Sequence, residues 1–287
     1  MRVIRVAKKM QALSRLWQGE KKQVGFVPTM GFLHAGHESL IEAARRRVRR
    51  QGVVVVSIYV NPTQFAATED LSRYPRNLEG DLRLCRRAGA DVVFVPTDEE
   101  MYPITEGGYS TFVSESQLSQ CMEGNSRPTH FRGVTTVVAK LFNLVQPTVA
   151  VFGAKDFQQS VVIGKMVRDL NMPVEMMVAP TMREPDGLAM SSRNAYLTPT
   201  QRQQAGVLFQ VITWVRTCVH QSTKPVLVDI LRKETQRLIN QQDEAQLDYI
   251  EFFKPDSLES VSRVWRSHHV ALAVRFGSTR LIDNGSI

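Results

Sequence analysis

Short apolar runs alternate with amphipathic helical patterns between positions 24 and 178. Runs rich in valine and isoleucine predict strands at residues 24–27, 53–60, 91–95, 148–152 and 174–178. Between them, apolar residues recur at helical spacing over residues 38–50, 78–88, 134–145 and 163–170. Strands that are apolar on both faces and separated by helices are typical of a parallel sheet covered on both sides. The pattern therefore predicts an α/β fold with a Rossmann-like, doubly wound parallel sheet.

The pattern changes after Pro180. Thr198 and Gln201 form a capping-box sequence with Pro199 at the first helical position, and we expect one long helix from there through Val219. A second helix is predicted over 226–240, followed by strands at 247–253, 270–276 and 280–283. Two helices followed by strands indicate a smaller α+β domain. We predict domains at residues 1–181 and 182–287.

Composition narrows the class of protein. The chain is 43% hydrophobic and 22% charged, as in ordinary globular proteins. Its longest strongly apolar run covers residues 53–60, far short of the roughly 20 residues that a membrane-spanning helix needs. The first residues lack the apolar segment of a secretory signal, so we expect a cytoplasmic protein without a membrane partner. The three cysteines show no Cys-x-x-Cys spacing, which disfavours a disulfide framework or zinc site, and Cys85 is predicted to be buried.

The net charge of +8 comes largely from five arginines between positions 45 and 50. The apolar residues Leu40, Ile41, Ala44 and Val48 form the buried stripe of the same predicted helix, which leaves the arginines on its other faces. A nucleic-acid surface would place aromatic side chains among them for base stacking, and none are present. We therefore interpret the cluster as a solvated surface and expect no nucleic-acid partner. Salt-sensitive binding to DNA or RNA is the alternative.

Candidate chemistry lies just after the predicted strands, where open α/β sheets bind ligands. The first strand leads into a loop with Gly31, Gly36 and the pair His34 and His37, at the start of a helix. The N–H groups and dipole of that turn favour an anion, and both imidazoles can face one ligand. A zinc pair is the alternative, but nothing nearby offers further ligands. This order of residues indicates a nucleotide-phosphate site.

Three further segments carry suitable polar groups. Asn61 and Gln64 follow the second strand and suit a polar small molecule. Lys155 follows the strand that ends near Phe152 and suits a phosphate, with Gln159 one helical turn further on. The loop 186–194 places two hydroxyls and a guanidinium in the order Met190-Ser191-Ser192-Arg193. No Walker P-loop or Gly-x-Gly-x-x-Gly motif is present, which disfavours P-loop hydrolysis and standard dinucleotide binding.

Two short motifs together resemble the two signatures of the nucleotidylyltransferase superfamily. They are His34-Ala35-Gly36-His37 and Met190-Ser191-Ser192-Arg193. A wider set of motifs, at residues 28–37, 61–65, 130–134, 153–159 and 183–194, is similar to the pantothenate synthetase family. The resemblance implies an ATP-dependent ligase that joins pantoate to β-alanine through a pantoyl adenylate and releases AMP and pyrophosphate. It places the chain in pantothenate biosynthesis, in the coenzyme A pathway. It also implies a homodimer, Mg²⁺ and a C-terminal domain that closes as a lid over an N-terminal ATP- and pantoate-binding domain.

The resemblance also implies roles for individual residues. Catalysis is assigned to His34, His37, Lys155 and Arg193. Pantoate and β-alanine are assigned to Gln64, Gln159, Asn61 and Arg127, and Mg²⁺ to Asp81, although Gly80 stands where a second aspartate is frequent. Ala154 stands where the family often has glutamate. ATP is assigned to Met30, Gly31, Phe32, Leu33, His34, Ala35, Gly36, His37, Gly153, Ala154, Lys155, Asp156, Met182, Met190, Ser191, Ser192 and Arg193.

Another enzyme class stays open, a nucleotidylyltransferase that acts on another small acid or phosphate and leaves a stable adenylyl product. Gln64 and Gln159 favour the ligase, because the resemblance assigns them to the hydroxyls and carboxylate of an acid.

Overall fold

The computed structural model describes residues 1–66, 69–104 and 108–287. These residues pack as two compact units. The first comprises Met1–Ala154 and Gln158–Pro180, and the second comprises Lys155–Phe157 and Thr181–Ile287. The segment Lys155–Phe157 thus packs with the second unit although its neighbours on both sides in the chain belong to the first.

The first unit is built on a six-stranded sheet in which every pairing is parallel. In chain order the strands are β1 Arg2–Ile4, β2 Val24–Thr29, β3 Val53–Ile58, β4 Val92–Phe94, β5 Val149–Gly153 and β6 Glu175–Ala179, and in space they follow the order β1-β4-β3-β2-β5-β6. The helices are α1 Ala7–Gly19, α2 Ala35–Val48, α3 Leu78–Arg87, α4 Asp98–Met101, α5 Glu123–Ser126, α6 His130–Val145 and α7 Phe157–Asp169.

The core of this unit has two layers, one on each face of the sheet. Phe26 and Val55 pack with residues of α1, α6 and α7, whereas Val54 and Val56 pack with residues of α2 and α3. The inner strands β2, β3, β4 and β5 therefore bury both faces along most of their length, as their continuous apolar sequences predict, whereas the edge strands β1 and β6 are mostly exposed or half-buried. The predicted Rossmann-like sheet is confirmed.

The amino-terminal strand β1 and helix α1 were not predicted. β1 is a three-residue edge strand that pairs only with β4 along its described length, and its Arg2 and Val3 are exposed. Such a segment has no apolar run long enough to identify it.

The arginine cluster is also different from the prediction. Helix α2 ends at Val48, so Arg49 and Arg50 lie beyond it. Arg45 is half-buried, donates to the carbonyl oxygens of Gly52 (3.0 Å) and Gly89 (3.0 Å), and pairs with Asp91. The prediction of a solvated surface was wrong for Arg45, because its long side chain reaches carbonyl groups that lie just before β3 and β4.

The second unit has three helices and two small antiparallel sheets. The helices are α8 Pro199–Gln204, α9 Val207–Gln221 and α10 Val228–Ile239. β8 Ala245–Phe253, β10 His269–Phe276 and β11 Thr279–Ser286 form a three-stranded sheet in the order β11-β10-β8, and β7 Val226–Leu227 pairs with β9 Arg263–Val264. The α+β class of this region is confirmed.

The predicted capping box is present, with reciprocal bonds between Thr198 and Gln201. The single long helix predicted after it was wrong, since α8 ends at Gln204 and α9 begins at Val207. Gly206 is the N-cap of α9. Glycine weakens a helix interior, so a break at this position is physically reasonable.

The burial that the sequence predicts for Cys85 is confirmed. Cys85 is fully buried, and burial raises the pKa of its thiol to about 12. Among the helices that the structure describes, none is long and apolar enough to cross a membrane.

Candidate active site

The two histidines cap the helix that carries them. His34 is the N-cap of α2, and its Nδ1 accepts the N–H of Gly36 at 3.2 Å, while the Nδ1 of His37 accepts the N–H of His34 at 3.3 Å. Their ring centroids are 4.2 Å apart. Because Nδ1 acts as an acceptor in both rings, each neutral imidazole carries its proton on Nε2. Two adjacent Nε2–H donors at a helix start are suited to oxygens of a phosphate chain.

The loop before this helix is held by Asp81 on α3. Gly31 and Phe32 have positive φ angles of 88° and 50°. Asp81 stabilises this conformation because its carboxylate accepts the N–H of Phe32 (2.9 Å) and of Leu33 (2.7 Å). Asp81 is 3% exposed, and burial raises the pKa of its carboxyl although the two N–H donors act in the opposite direction.

These contacts bear on the Mg²⁺ prediction. Both carboxylate oxygens of Asp81 already accept backbone N–H groups. Within residues 1–66, 69–104 and 108–287, no group of three or more histidine, cysteine, aspartate or glutamate side chains could hold a metal ion. The two N–H contacts show that Asp81 shapes this loop, and each carboxylate oxygen keeps a lone pair, so the assignment of Mg²⁺ to Asp81 stays a prediction.

Gln64 lies where the loops after β2 and β3 meet. It ends a short 3₁₀ helix, Pro62–Gln64, and is 7% exposed. Its Oε1 accepts from Asn61 Nδ2 at 3.1 Å, and its Nε2 contacts the Met30 sulfur at 3.2 Å. The amide is thus fixed in orientation by one neighbour from each loop.

Asn61 lies behind Gln64. It is 1% exposed, its Nδ2 also donates to the Gly133 carbonyl at 3.2 Å, and its Oδ1 accepts from the Tyr102 hydroxyl at 2.8 Å. These contacts within the protein use both ends of the Asn61 amide. Asn61 therefore orients Gln64 and is itself shielded from a substrate by its burial.

Arg127 and His130 hold the backbone of Gln64 from another side. Arg127 donates to both carboxylate oxygens of Glu69 (2.8 and 2.6 Å) and to His130 Nε2 (3.2 Å). Because His130 Nε2 accepts from this cation, the ring proton is on Nδ1, which donates to the Gln64 carbonyl at 3.0 Å. Burial and the charge of Arg127 lower the pKa of His130 to about 4, so the ring is neutral near pH 7.

Gly133 allows the close approach of α6 to this segment. A Cβ atom at Gly133 would lie 2.5 Å from the Thr63 carbonyl oxygen and 2.6 Å from the Gln64 nitrogen. Only a glycine fits there without a shift of the backbone. Sequence reasoning gave no role to Gly133, His130, Glu69 or Tyr102. The resemblance at residues 130–134 was the signal that pointed to the first two, whereas no local pattern marks the other two.

The loop after β5 is the third part of the candidate site in the first unit. Gly153 ends β5, and Gln159 lies on the first turn of α7. Gln159 is half-buried, whereas its neighbour Gln158 is 6% exposed and bonds to Glu123, Leu118 and Cys121. Those contacts make Gln158 a structural residue and leave Gln159 as the glutamine suited to a ligand at this strand end.

The second unit carries the other predicted phosphate-binding residues. Lys155 Nζ lies 3.2 Å from the carboxylate of Asp156. Residues 182–190 form a hairpin, in which the Met190 N–H donates to the Met182 carbonyl at 3.0 Å and Gly187 has a φ of 91°. Ser191 then caps the 3₁₀ helix Ser192–Tyr196 by accepting the Arg193 N–H at 3.3 Å.

The sequence and the fold have known counterparts. A family model described as pantoate-beta-alanine ligase matches residues 2–286. The chain belongs to this family.

Several members of the family match along their whole length. The pantothenate synthetases of Acetivibrio thermocellus and Thermotoga petrophila are 47% and 46% identical over 284 residues, which cover 99% of this chain and 98% and 99% of those proteins. The crystal structure of pantothenate synthetase from Thermus thermophilus superposes with a TM-score of 0.90 at 42% identity, over 100% of this chain and 99% of that one.

A further member was crystallised with ligands. The pantoate-beta-alanine ligase of Francisella tularensis, in a structure described as complexed with beta-gamma ATP and beta-alanine, superposes with a TM-score of 0.81 at 32% identity, over 100% of this chain and 97% of that one. These members of the pantoate-beta-alanine ligase family share the fold of both units.

Proposed function

We propose that the protein condenses pantoate with β-alanine at the expense of ATP, through a pantoyl adenylate. The observation that carries this proposal is the match of the pantoate-beta-alanine ligase family over residues 2–286. The Francisella tularensis relative, crystallised with beta-gamma ATP and beta-alanine, supports the choice of nucleotide and amine.

The chemistry requires two steps. A carboxylate is a poor acyl donor to an amine, because its leaving group would be an oxide. A pantoate carboxylate oxygen therefore attacks the α-phosphorus of ATP, and the bond from that phosphorus to pyrophosphate breaks. The amine of β-alanine then attacks the carbonyl carbon of the adenylate, its surplus proton passes to solvent, and AMP leaves with the carboxylate oxygen. Little covalent work falls to the protein, so positioning and charge stabilisation account for catalysis.

The first unit offers neutral hydrogen-bonding groups for this reaction. We propose that the Nε2–H groups of His34 and His37 donate to phosphate oxygens, and that Gln64 and Gln159 bind the hydroxyls and carboxylate of pantoate. Asn61 and Arg127 are proposed to act indirectly, since their contacts fix the side chain and backbone of Gln64.

The second unit offers cationic groups. Lys155 is proposed to offset the charge that develops at the α-phosphate, and Ser191, Ser192 and Arg193 to bind the β- and γ-phosphates.

We propose Met30, Gly153, Ala154, Asp156 and Met182 as lining of the nucleotide site. The lid, the Mg²⁺, the homodimer and the cytoplasmic location rest on the resemblance and on composition, and they stay predictions. If Mg²⁺ takes part, we expect the triphosphate to carry it.

Labelled pantoate tests the proposal. With pantoate carrying ¹⁸O in its carboxylate, ATP, β-alanine and Mg²⁺, mass spectrometry should find one labelled oxygen in AMP and equal amounts of AMP and pantothenate. Release of ADP and labelled phosphate would refute the adenylate. Adenylyl groups that remain on the product would favour the nucleotidylyltransferase alternative.

A substitution tests the role of Lys155. Loss of one donor that stabilises a transition state typically lowers kcat by about 10²–10³-fold, so we expect that loss in Lys155→Ala. Lys165→Ala is the matched control, because Lys165 pairs with the exposed Asp169 on α7. Equal rates in both variants would remove Lys155 from this role.

A further inference from the structure

The segment Lys155–Phe157 is anchored by the carboxy-terminal sheet of the second unit. The Phe157 ring stacks on His269 of β10, with centroids 4.1 Å apart and planes at 18°. The ring of Phe253, on β8, also lies near Phe157, with a distance of 5.9 Å between the ring centroids. These aromatic contacts hold the residue two positions after Lys155 against two adjacent strands.

The backbone of Lys155 is held by a polar contact from the same sheet. Asn284 of β11 donates from Nδ2 to the Lys155 carbonyl at 2.8 Å, and its Oδ1 lies 2.9 Å from His269 Nε2. A carbonyl oxygen only accepts, so the Asn284 amide nitrogen faces Lys155 and its oxygen faces His269. His269 must then carry its proton on Nε2. Burial lowers the pKa of His269, which agrees with this neutral tautomer.

The preceding residue, Asp283, holds the other phosphate-binding segment. Asp283 is 1% exposed and accepts two hydrogen bonds from Arg183, at 2.6 and 3.0 Å. Arg183 also donates to the Gly187 carbonyl at 3.0 Å and lies over the Phe209 ring. Arg183 is thus fixed at the base of the hairpin that leads into Met190 and Ser191.

Asp283 and Asn284 therefore contact two segments that are far apart in the chain and that both carry proposed phosphate-binding groups. We propose that Asp283 and Asn284 are positioning residues for the adenylation step, which fix Lys155 and the Ser191–Arg193 segment to one sheet as a single rigid group. The proposal rests on the proposed function. It assigns neither residue a contact with substrate.

The substitution Asn284→Asp tests it with almost no change in shape. The carboxylate can still accept from His269, but it cannot donate to the Lys155 carbonyl. Because a displaced catalytic group typically costs up to about 10²-fold in rate, we expect pyrophosphate release in the first turnover to slow by roughly 10- to 100-fold. The KM for pantoate should stay unchanged, since Gln64 and Gln159 belong to the other unit.

Two controls separate positioning from a general structural effect. Asn240→Asp makes the same chemical change at an exposed residue of the same unit and should keep the full rate. Combined with Lys155→Ala, the Asn284→Asp change should cause no further slowing, because the group that it positions is absent. If Asn284→Asp does not fold, Phe157→Leu removes the stacking on His269 and should give the same selective loss.

The outcomes are distinct. A multiplicative loss in the Asn284→Asp, Lys155→Ala double variant would overturn the proposal, as would an Asn284→Asp rate equal to that of Asn240→Asp. Either result would leave the proposed function intact, provided that Lys155→Ala is slow. Absence of AMP formation by the unsubstituted protein would instead overturn the proposed function, and this inference with it.

Discussion

His130 should make the stability of the first unit depend on pH. Its ring is buried and neutral, and burial, followed by the charge of Arg127, lowers its pKa from the ordinary 6.5 to about 4. The Gln64 carbonyl, Glu123 and Glu69 act in the opposite direction. In the unfolded chain the ring takes up a proton below pH 6.5, whereas in the folded protein it does so only near pH 4.

The difference between the folded and unfolded pKa values of His130 determines how the stability of the protein changes with pH. The unfolded state binds more protons between the two pKa values, so the folded state loses stability as the pH falls from 6.5 towards 4, and the loss levels off below that. The difference between 6.5 and about 4 corresponds to about 3 kcal/mol. Such a loss is a large fraction of the stability of a typical domain.

Urea unfolding between about pH 7.5 and about pH 4.5 measures the effect. Trp17 lies in the same core layer as α6, so replacement of Trp214 and Trp265 by phenylalanine leaves a fluorescent reporter of this unit. His130→Asn keeps a donor near the position of Nδ1 but does not titrate. The difference in unfolding free energy between the two proteins should shrink by about 2.5 kcal/mol over this range, because pH 4.5 still lies above the folded pKa of about 4.

Comparison with His130→Asn largely cancels the titration of Glu69, Glu123 and every other group common to both proteins. The exposed His220→Gln variant, which keeps His130, should lose as much stability as the unsubstituted protein. The unsubstituted protein and His130→Asn could instead differ in unfolding free energy by the same amount at both ends of the pH range. That result would refute the neutral, buried state of His130.

Two further predictions concern the first unit. Asp81→Asn should lower the unfolding free energy by about 1–3 kcal/mol, because the variant loses an acceptor for a backbone N–H. The Mg²⁺ concentration that gives the half-maximal rate should stay the same as in Glu79→Gln, a control variant at an exposed residue. A large shift in that concentration for Asp81→Asn would identify Asp81 as a metal ligand. Gly133→Ala should cost about 1–3 kcal/mol in thermal or urea unfolding, because the new methyl group meets the backbone of Thr63 and Gln64. Gly164→Ala, which meets no atom within 4 Å, should be neutral or stabilising by up to about 1 kcal/mol, and equal losses at the two glycines would contradict the steric argument.

The sheet and the position of the candidate site could be predicted from the sequence because both follow from local patterns. Strands such as Val53–Ile58 are apolar at nearly every position and are separated by amphipathic helices, which indicates a parallel sheet. In such a sheet the ligand site lies beyond the carboxyl ends of the strands. His34, His37 and Gln64 lie after β2 and β3 as the sequence predicts, although the order of the strands in the sheet could not be predicted from it.

The contacts that give each side chain its position could not be predicted in this way. Arg127 and Glu69 are 58 positions apart, and Asp81 accepts from Leu33 across 48 positions. In the sequence, an aspartate on the first turn of a helix is explained by the helix dipole, and an arginine near a candidate site is readily taken for an anion ligand. Only the tertiary structure shows that the charge of Asp81 is directed to a loop and that Arg127 is paired with a carboxylate.

The polarity of the groups around Gln64 has a physical reason. An amide that is 7% exposed must keep both its donor and its acceptor bonded, or the protein loses stability. Asn61 supplies a donor to its oxygen, and His130, held neutral by burial, supplies a donor to its backbone carbonyl. A cation in place of His130 would be costly to bury beside Arg127. The neutral donor Asn61 therefore orients the side-chain amide of Gln64, whereas His130 and Arg127 hold its backbone carbonyl. The charge of Arg127 is offset by Glu69 and Glu123.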